Sequence, residues 1–144
     1  MTQESRLLQL IKQQIDVEGD HVKSVNVLRN KVGIAAARLL LLEMRLDSEK
    51  HIAILTEMLE VLKKAHPQTF LWDHVMEEYV DETLVKREFE DHVKKEDSVI
   101  AHLKDEVKHT NDEALKMLFQ DMEDDEKKNN HLLEILVRNL YKMD

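Results

Sequence analysis

The 144-residue chain contains no cysteine. That excludes disulfides, thiolate nucleophiles, cysteine-ligated zinc and iron–sulfur clusters, and leaves carboxylates and imidazoles to hold any metal. It also fits a reducing cytoplasm. Two glycines and one proline leave few positions at which a helix has to break. The longest apolar run, Leu39 to Leu42, falls far short of the ~20 residues that cross a bilayer. The polar start Met1-Thr2-Gln3-Glu4-Ser5 has no signal-peptide pattern, so a soluble cytoplasmic protein is expected. Positive charge is in deficit, with 21 Lys and Arg against 30 Asp and Glu and a net charge of −9. That sign repels phosphate backbones and anionic lipid, which argues against nucleic-acid and membrane partners and in favour of cations.

What the chain does contain is helical periodicity. Apolar residues recur at three- and four-residue steps across about 4–29, 32–65, 82–108 and 112–142, and each stretch predicts a long helix with one apolar face. Breaks at Asn30-Lys31-Val32-Gly33 and His109-Thr110-Asn111 join the four into two helical hairpins, with Asn111 or Thr110 as cap of the last helix. The segment of about 66–81, from His66-Pro67 through Phe70-Leu71-Trp72 to Asp81, lacks the period, and Asp81 is placed to cap the third helix. A helix of about 30 residues is ~45 Å long, and a mostly extended connection of this length spans it. The second and third helices would then run parallel. A hairpin-like turn under a packed Trp72 would instead make them antiparallel.

The strongest organisational signal is an internal repeat. Shifting the sequence on itself by 78 positions pairs Glu18 with Glu96, Ala36 with Ala114, Met44 with Met122, Asp47 with Asp125, Lys50 with Lys128, Leu55 with Leu133 and Leu62 with Leu140, without a gap. Conservative pairs lie between them, such as Ile15 with Val93 and Val25 with Leu103. One shared offset across both helices of a hairpin indicates duplication of the hairpin, about 8–66 and 86–144. The expected fold class is therefore all-α, a single four-helix bundle domain over 1–144 with a long crossover between helices 2 and 3.

Each predicted inward seam is apolar except at its centre. The second helix offers Ala37, Leu41, Met44, Ser48, His51, Leu55, Met58 and Leu62, and the fourth matches it with Leu115, Phe119, Met122, Glu126, Asn129, Leu133, Leu136 and Leu140. The first and third contribute Ile11, Glu18 and Val25, and Phe89, His92, Glu96, Val99 and Leu103, with Gln14 and His21 at neighbouring positions. Periodicity thus sets Glu18, Glu96 and Glu126 with His21, His51 and His92 near the middle of an apolar core. An unpaired carboxylate there costs several kcal/mol, so such a layer persists only if its charges are paired, protonated or bound to a cation. Di-metal bundle sites take one Glu from each of two helices and a Glu-x-x-His from each of the other two, because residues i and i+3 share a face.

Glu18 and Glu96 fill the first role. Asp47-Ser48-Glu49-Lys50-His51 and Asp125-Glu126-Lys127-Lys128-Asn129 stand in the place of the second. On these residues the chain resembles the ferritin-like superfamily, closest to its rubrerythrin-like branch, over nearly all of its length outside 66–81. The resemblance implies a metal site at Glu18, Ser48, His51, Glu96, Glu126 and Asn129. Ser48 and Asn129 depart from it, standing where a Glu and a His are expected. Asp47 and Asp125 match aspartates that hold ligand histidines by hydrogen bonds, and could themselves turn in as ligands. If helices 1 and 3 run antiparallel, His21 lies ~4.5 Å beyond Glu18 and His92 ~6 Å before Glu96, in the same axial direction. Both could then supply the missing imidazole.

Each ligand reading has a plain structural alternative. His21 also reads as a boundary histidine, His92 as an i−4 surface partner of Glu96, and Met44, Met58 and Met122 as core fillers. The run Glu123-Asp124-Asp125-Glu126-Lys127-Lys128 reads as mostly solvated face. The leading functional expectation is a ferritin-like metal protein that acts as a small oxidase or peroxidase. Its metal ion is iron before zinc or manganese, in a mononuclear or dinuclear site. Without a rubredoxin-like domain its electrons would come from an external donor. A homodimer is compatible with this. The other class is an interaction or structural bundle whose inner Glu and His groups neutralise one another.

Overall fold

The computed structural model describes residues 2–65, 70–74, 76 and 82–140, without the side chains of residues 3, 4, 82, 83 and 140. Among these lie α1 (Gln3–Lys31), α2 (Ala35–Lys64), α3 (Glu82–Lys108) and α4 (Glu113–Leu140), a short 3-10 turn at Leu71–Asp73, and no strand. The fold is all-α, as expected. Helix α1 packs on α2 and α3 on α4, giving two helical hairpins. The chain divides into two compact units, Met1–His74 and Val75–Asp144.

In the first unit the Thr2 hydroxyl accepts from the Ser5 backbone N–H at 3.1 Å and caps the start of α1. Arg29 and Lys31 in its last turn answer the negative end of the helix dipole. The expected break over Asn30 to Gly33 is shortened at its start, since the helix runs on through Asn30 and Lys31. The chain turns at Val32, Gly33 and Ile34. Val32 and Ile34 are extended, a conformation their β-branched side chains favour, and Gly33 does not use a positive φ. In the second unit the cap of α4 is Asp112, not Asn111 or Thr110. Its carboxylate accepts from the Leu115 N–H at 3.1 Å, while the Thr110 hydroxyl accepts from the Asp112 N–H at 3.2 Å.

The hairpins keep one register. Helix α4 begins 78 residues after α2, and Val25 and Leu103, related by that offset, are both buried. Cross-helix polar pairs repeat at the same spacing. Arg45 Nη1 donates to Asn26 Oδ1 at 3.3 Å in the first hairpin. Lys104 Nζ lies 4.0 Å from Glu123 Oε1 in the second.

Burial follows the partner helix within each hairpin. Ile11, Val25, Ser48 and Leu59 are buried in the first unit, and Glu96, Leu103, Leu118 and Glu123 in the second. The expected seams of α1 and α3 agree with this, through Ile11, Val25, Glu96 and Leu103. Those of α2 and α4 agree at Ser48, which is buried, and most of their other positions are half-buried. Met44, Met122, Leu115 and Val99 are exposed, so the two methionines are not core fillers. Trp72 is exposed rather than packed as a lid. Pro67, Asp81 and most of the expected crossover lie outside the described residues. No helix among those described is long and apolar enough to cross a membrane.

Val25 is only 2% exposed whereas Val27 is 51% exposed. Val25→Ala is expected to lower unfolding stability by about 2 kcal/mol, for the lost methyl burial and the cavity left behind. Val27→Ala should stay within about 0.5 kcal/mol of wild type. Urea denaturation followed by circular dichroism reads the difference.

Candidate functional site

The centre of the first hairpin is a closed hydrogen-bond network. Glu18 on α1 and Ser48 on α2 face each other, and the Ser48 hydroxyl, buried with its residue only 3% exposed, donates to the Glu18 carboxylate. His51 Nδ1 lies 3.3 Å from Glu18 Oε1, and His21 Nδ1 lies 2.7 Å from Ser48 Oγ. A hydroxyl has one proton, and Glu18, as a carboxylate, can only accept. The Ser48 proton therefore points to Glu18, the Ser48 oxygen accepts from His21, and both imidazoles carry hydrogen on Nδ1. The Ser48 hydrogen bond is the main reason the Glu18 carboxyl is held below its ordinary value of 4.5. Partial burial opposes that shift, and the His51 hydrogen bond and the two imidazoles reinforce it.

The centre of the second hairpin is open. Glu96 on α3, 78 residues after Glu18, is 9% exposed. Its Oε1 lies 3.1 Å from His92 Nε2, one helical turn earlier on the same helix. Its Oε2 is buried without a hydrogen-bond partner. On α4, Glu126 takes the register that Ser48 takes on α2. Glu126 is half-buried, and among the described residues no hydrogen bond or ion pair holds it. One residue beyond Glu96, Asp97 Oδ1 accepts from Asn130 Nδ2 at 2.9 Å and locks α3 against α4 at this level. That contact fixes the Asn130 amide orientation, because only its nitrogen can donate to a carboxylate. Its oxygen, Asn130 Oδ1, is left as a second buried acceptor without a donor.

The other expected ligands lie apart from these centres. Asp47 is exposed, and Asp125 pairs with Lys128 at 3.7 Å. Neither approaches a histidine in the contacts of its own hairpin. Asn129 is half-buried at the register of His51. Within either hairpin no three carboxylate or imidazole ligand atoms of the described residues come within 4.8 Å of one another.

Glu123 was expected on a solvated face and is instead 4% exposed. Lys127 Nζ at 3.2 Å, Gln120 Nε2 at 3.0 Å and Lys104 Nζ at 4.0 Å answer its charge. The repeat carried the signal that was passed over, since the shared offset sets Glu123 at the place of Arg45 and Lys104 at the place of Asn26. Polar residues at this register form a cross-helix pair in each hairpin.

No family model, curated protein or solved structure matches the chain.

A depressed carboxyl gives a stability contribution that is present above the unfolded value and lost as pH falls through the folded one. Below pH 4.5, wild type is expected to lose more stability than Glu18→Gln, which removes the titrating group. Denaturation midpoints from pH 7 downward check this, and equal slopes for both proteins would contradict it. Ser48→Ala should raise the Glu18 carboxyl value, read by side-chain NMR titration.

Proposed function

We propose that the chain is a ferritin-like metal-binding protein working in a reducing cytoplasm, with iron the leading occupant and zinc or manganese the alternatives. The observation that carries this reading is Glu96, a carboxylate 9% exposed with one oxygen on an imidazole and the other buried without a donor. A carboxylate so placed is costly unless a proton, a hydrogen bond or a cation answers it. The net charge of −9 favours a cation, and the absence of cysteine limits the ligands to oxygen and imidazole nitrogen.

The donors fit a divalent ion. Glu96 would anchor it and Glu126 would add a second carboxylate. His92, exposed on its outer side, would give an imidazole nitrogen and leave a path from solvent. Bound iron would supply redox chemistry toward dioxygen or peroxide, with electrons from an external donor. The protein's own part is to hold a carboxylate on a rigid helix and to supply the imidazole one turn away.

One observation favours a second reading, a helical interaction or structural module without metal. The network of Glu18, Ser48, His21 and His51 satisfies its own charge and has no need of an ion.

Metal content of the purified protein and thermal unfolding with added Fe²⁺, Mn²⁺ or Zn²⁺ separate the two. The metal reading expects a bound ion and a rise in midpoint, since an ion at a hundredfold excess over its Kd stabilises by about 2.7 kcal/mol. Glu96→Gln should lose most of that rise. No metal and no shift with any of the three ions would support the module instead.

A further inference from the structure

We infer that the two hairpins have divided their roles, so that one divalent cation binds per chain, at His92, Glu96 and Glu126 of the second hairpin. The first hairpin's centre is a metal-independent lock. This rests on the metal-binding reading above and specifies its site and stoichiometry.

The division is written at one pair of positions, 78 residues apart. In the first hairpin Ser48 faces Glu18, giving one carboxylate and a neutral hydroxyl that donates to it. In the second, Glu126 stands at the register of Ser48 and Glu96 at that of Glu18, giving two carboxylates, with Glu96 Oε2 left without a donor. Two anionic groups at one level repel unless a cation joins them.

The unpaired buried atoms divide in the same way. In the second hairpin they are acceptors, Glu96 Oε2 and Asn130 Oδ1. In the first they are donors, Arg29 Nε and Arg45 Nε, and Arg45 Nε is answered by the Glu49 carboxylate at 3.6 Å. Acceptors without donors attract a cation, and guanidinium N–H groups cannot ligate one.

Imidazole supply differs as well. Both nearby histidines of the first hairpin direct Nδ1 into the lock, and Glu18 already accepts from Ser48 and His51. An ion there would have to displace both donors and would gain one carboxylate. In the second hairpin an ion replaces one contact, His92 Nε2 to Glu96 Oε1. It gains the orphan oxygen, the imidazole and the unheld carboxylate of Glu126. Mixed imidazole and carboxylate ligands suit zinc, iron or manganese rather than calcium or magnesium.

Isothermal titration of the full chain with Zn²⁺, which undergoes no redox change, tests the division, with helix content by circular dichroism as a folding control. Wild type is expected to bind one zinc per chain. His92→Ala and Glu126→Gln should weaken it roughly tenfold or more, while His51→Ala and His21→Ala leave it unchanged. Glu126→Ser, which copies the first hairpin into the second, should abolish the site. Ser48→Glu, the reverse copy, should raise the stoichiometry to two. Two zinc ions on wild type, a loss with His51→Ala equal to that with His92→Ala, or no second ion on a folded Ser48→Glu protein would overturn the division while leaving metal binding intact. No zinc at all on wild type, together with no Fe²⁺ or Mn²⁺, would overturn both.

Discussion

An ionised carboxylate on the inner side of a helix has to be answered, and three answers exist: a proton, a hydrogen-bond donor or a cation. Glu18 and Glu96 sit at the same place in two copies of one helical hairpin. Glu18 receives a hydroxyl from Ser48 and an N–H from His51. Glu96 receives one N–H, from a histidine on its own helix, and keeps a buried oxygen with no donor. The difference between the two hairpins follows from that one oxygen.

Around these centres the copies remain alike. Val25 and Leu103 bury the same position, and the next polar rung repeats as Asn26 with Arg45 and as Lys104 with Glu123. The second rung shows how a buried polar pair tolerates change. Its acid moved from neither partner to Glu123, and the positive group moved from Arg45 to Lys104. At the centre Glu126 stands where the first hairpin has Ser48, and among the described residues no hydrogen bond or ion pair holds it. A duplicated fold can thus hold its packing while one layer drifts toward a different partner.

Much of this was legible in the residues. The helical period located all four helices to within a few residues, and the offset of 78 positions exposed the repeat before any coordinate. The period of each helix set Glu18 and His51 at the middle of the first hairpin and Glu96 and His92 at the middle of the second, and polar contacts occur at both places. Turns were legible only to within two residues, because the helix expected to break from Asn30 to Gly33 continues to Lys31 and gives way at the extended Val32 and Ile34. The exposure of Met44, His51, Leu115 and Met122 was not legible, because periodicity reports the apolar face of a helix but not how closely each position on it is covered. The burial of Glu123 is not legible in a run of charge, because Lys127 and Gln120 on its own helix and Lys104 on the facing helix answer it together. Proton placement on His21 and His51 could not be read from spacing at all, since it follows from the one proton of Ser48.

The most direct test of an answered carboxylate in one hairpin and an unanswered one in the other is the long-range ¹H–¹⁵N NMR spectrum of the histidine side chains, recorded without and with Zn²⁺. The account predicts Nδ1–H tautomers for His21 and His51 that zinc leaves in place, and a large change confined, among these three rings, to His92. Movement of the His21 or His51 signals on zinc addition, with His92 unmoved, would contradict it.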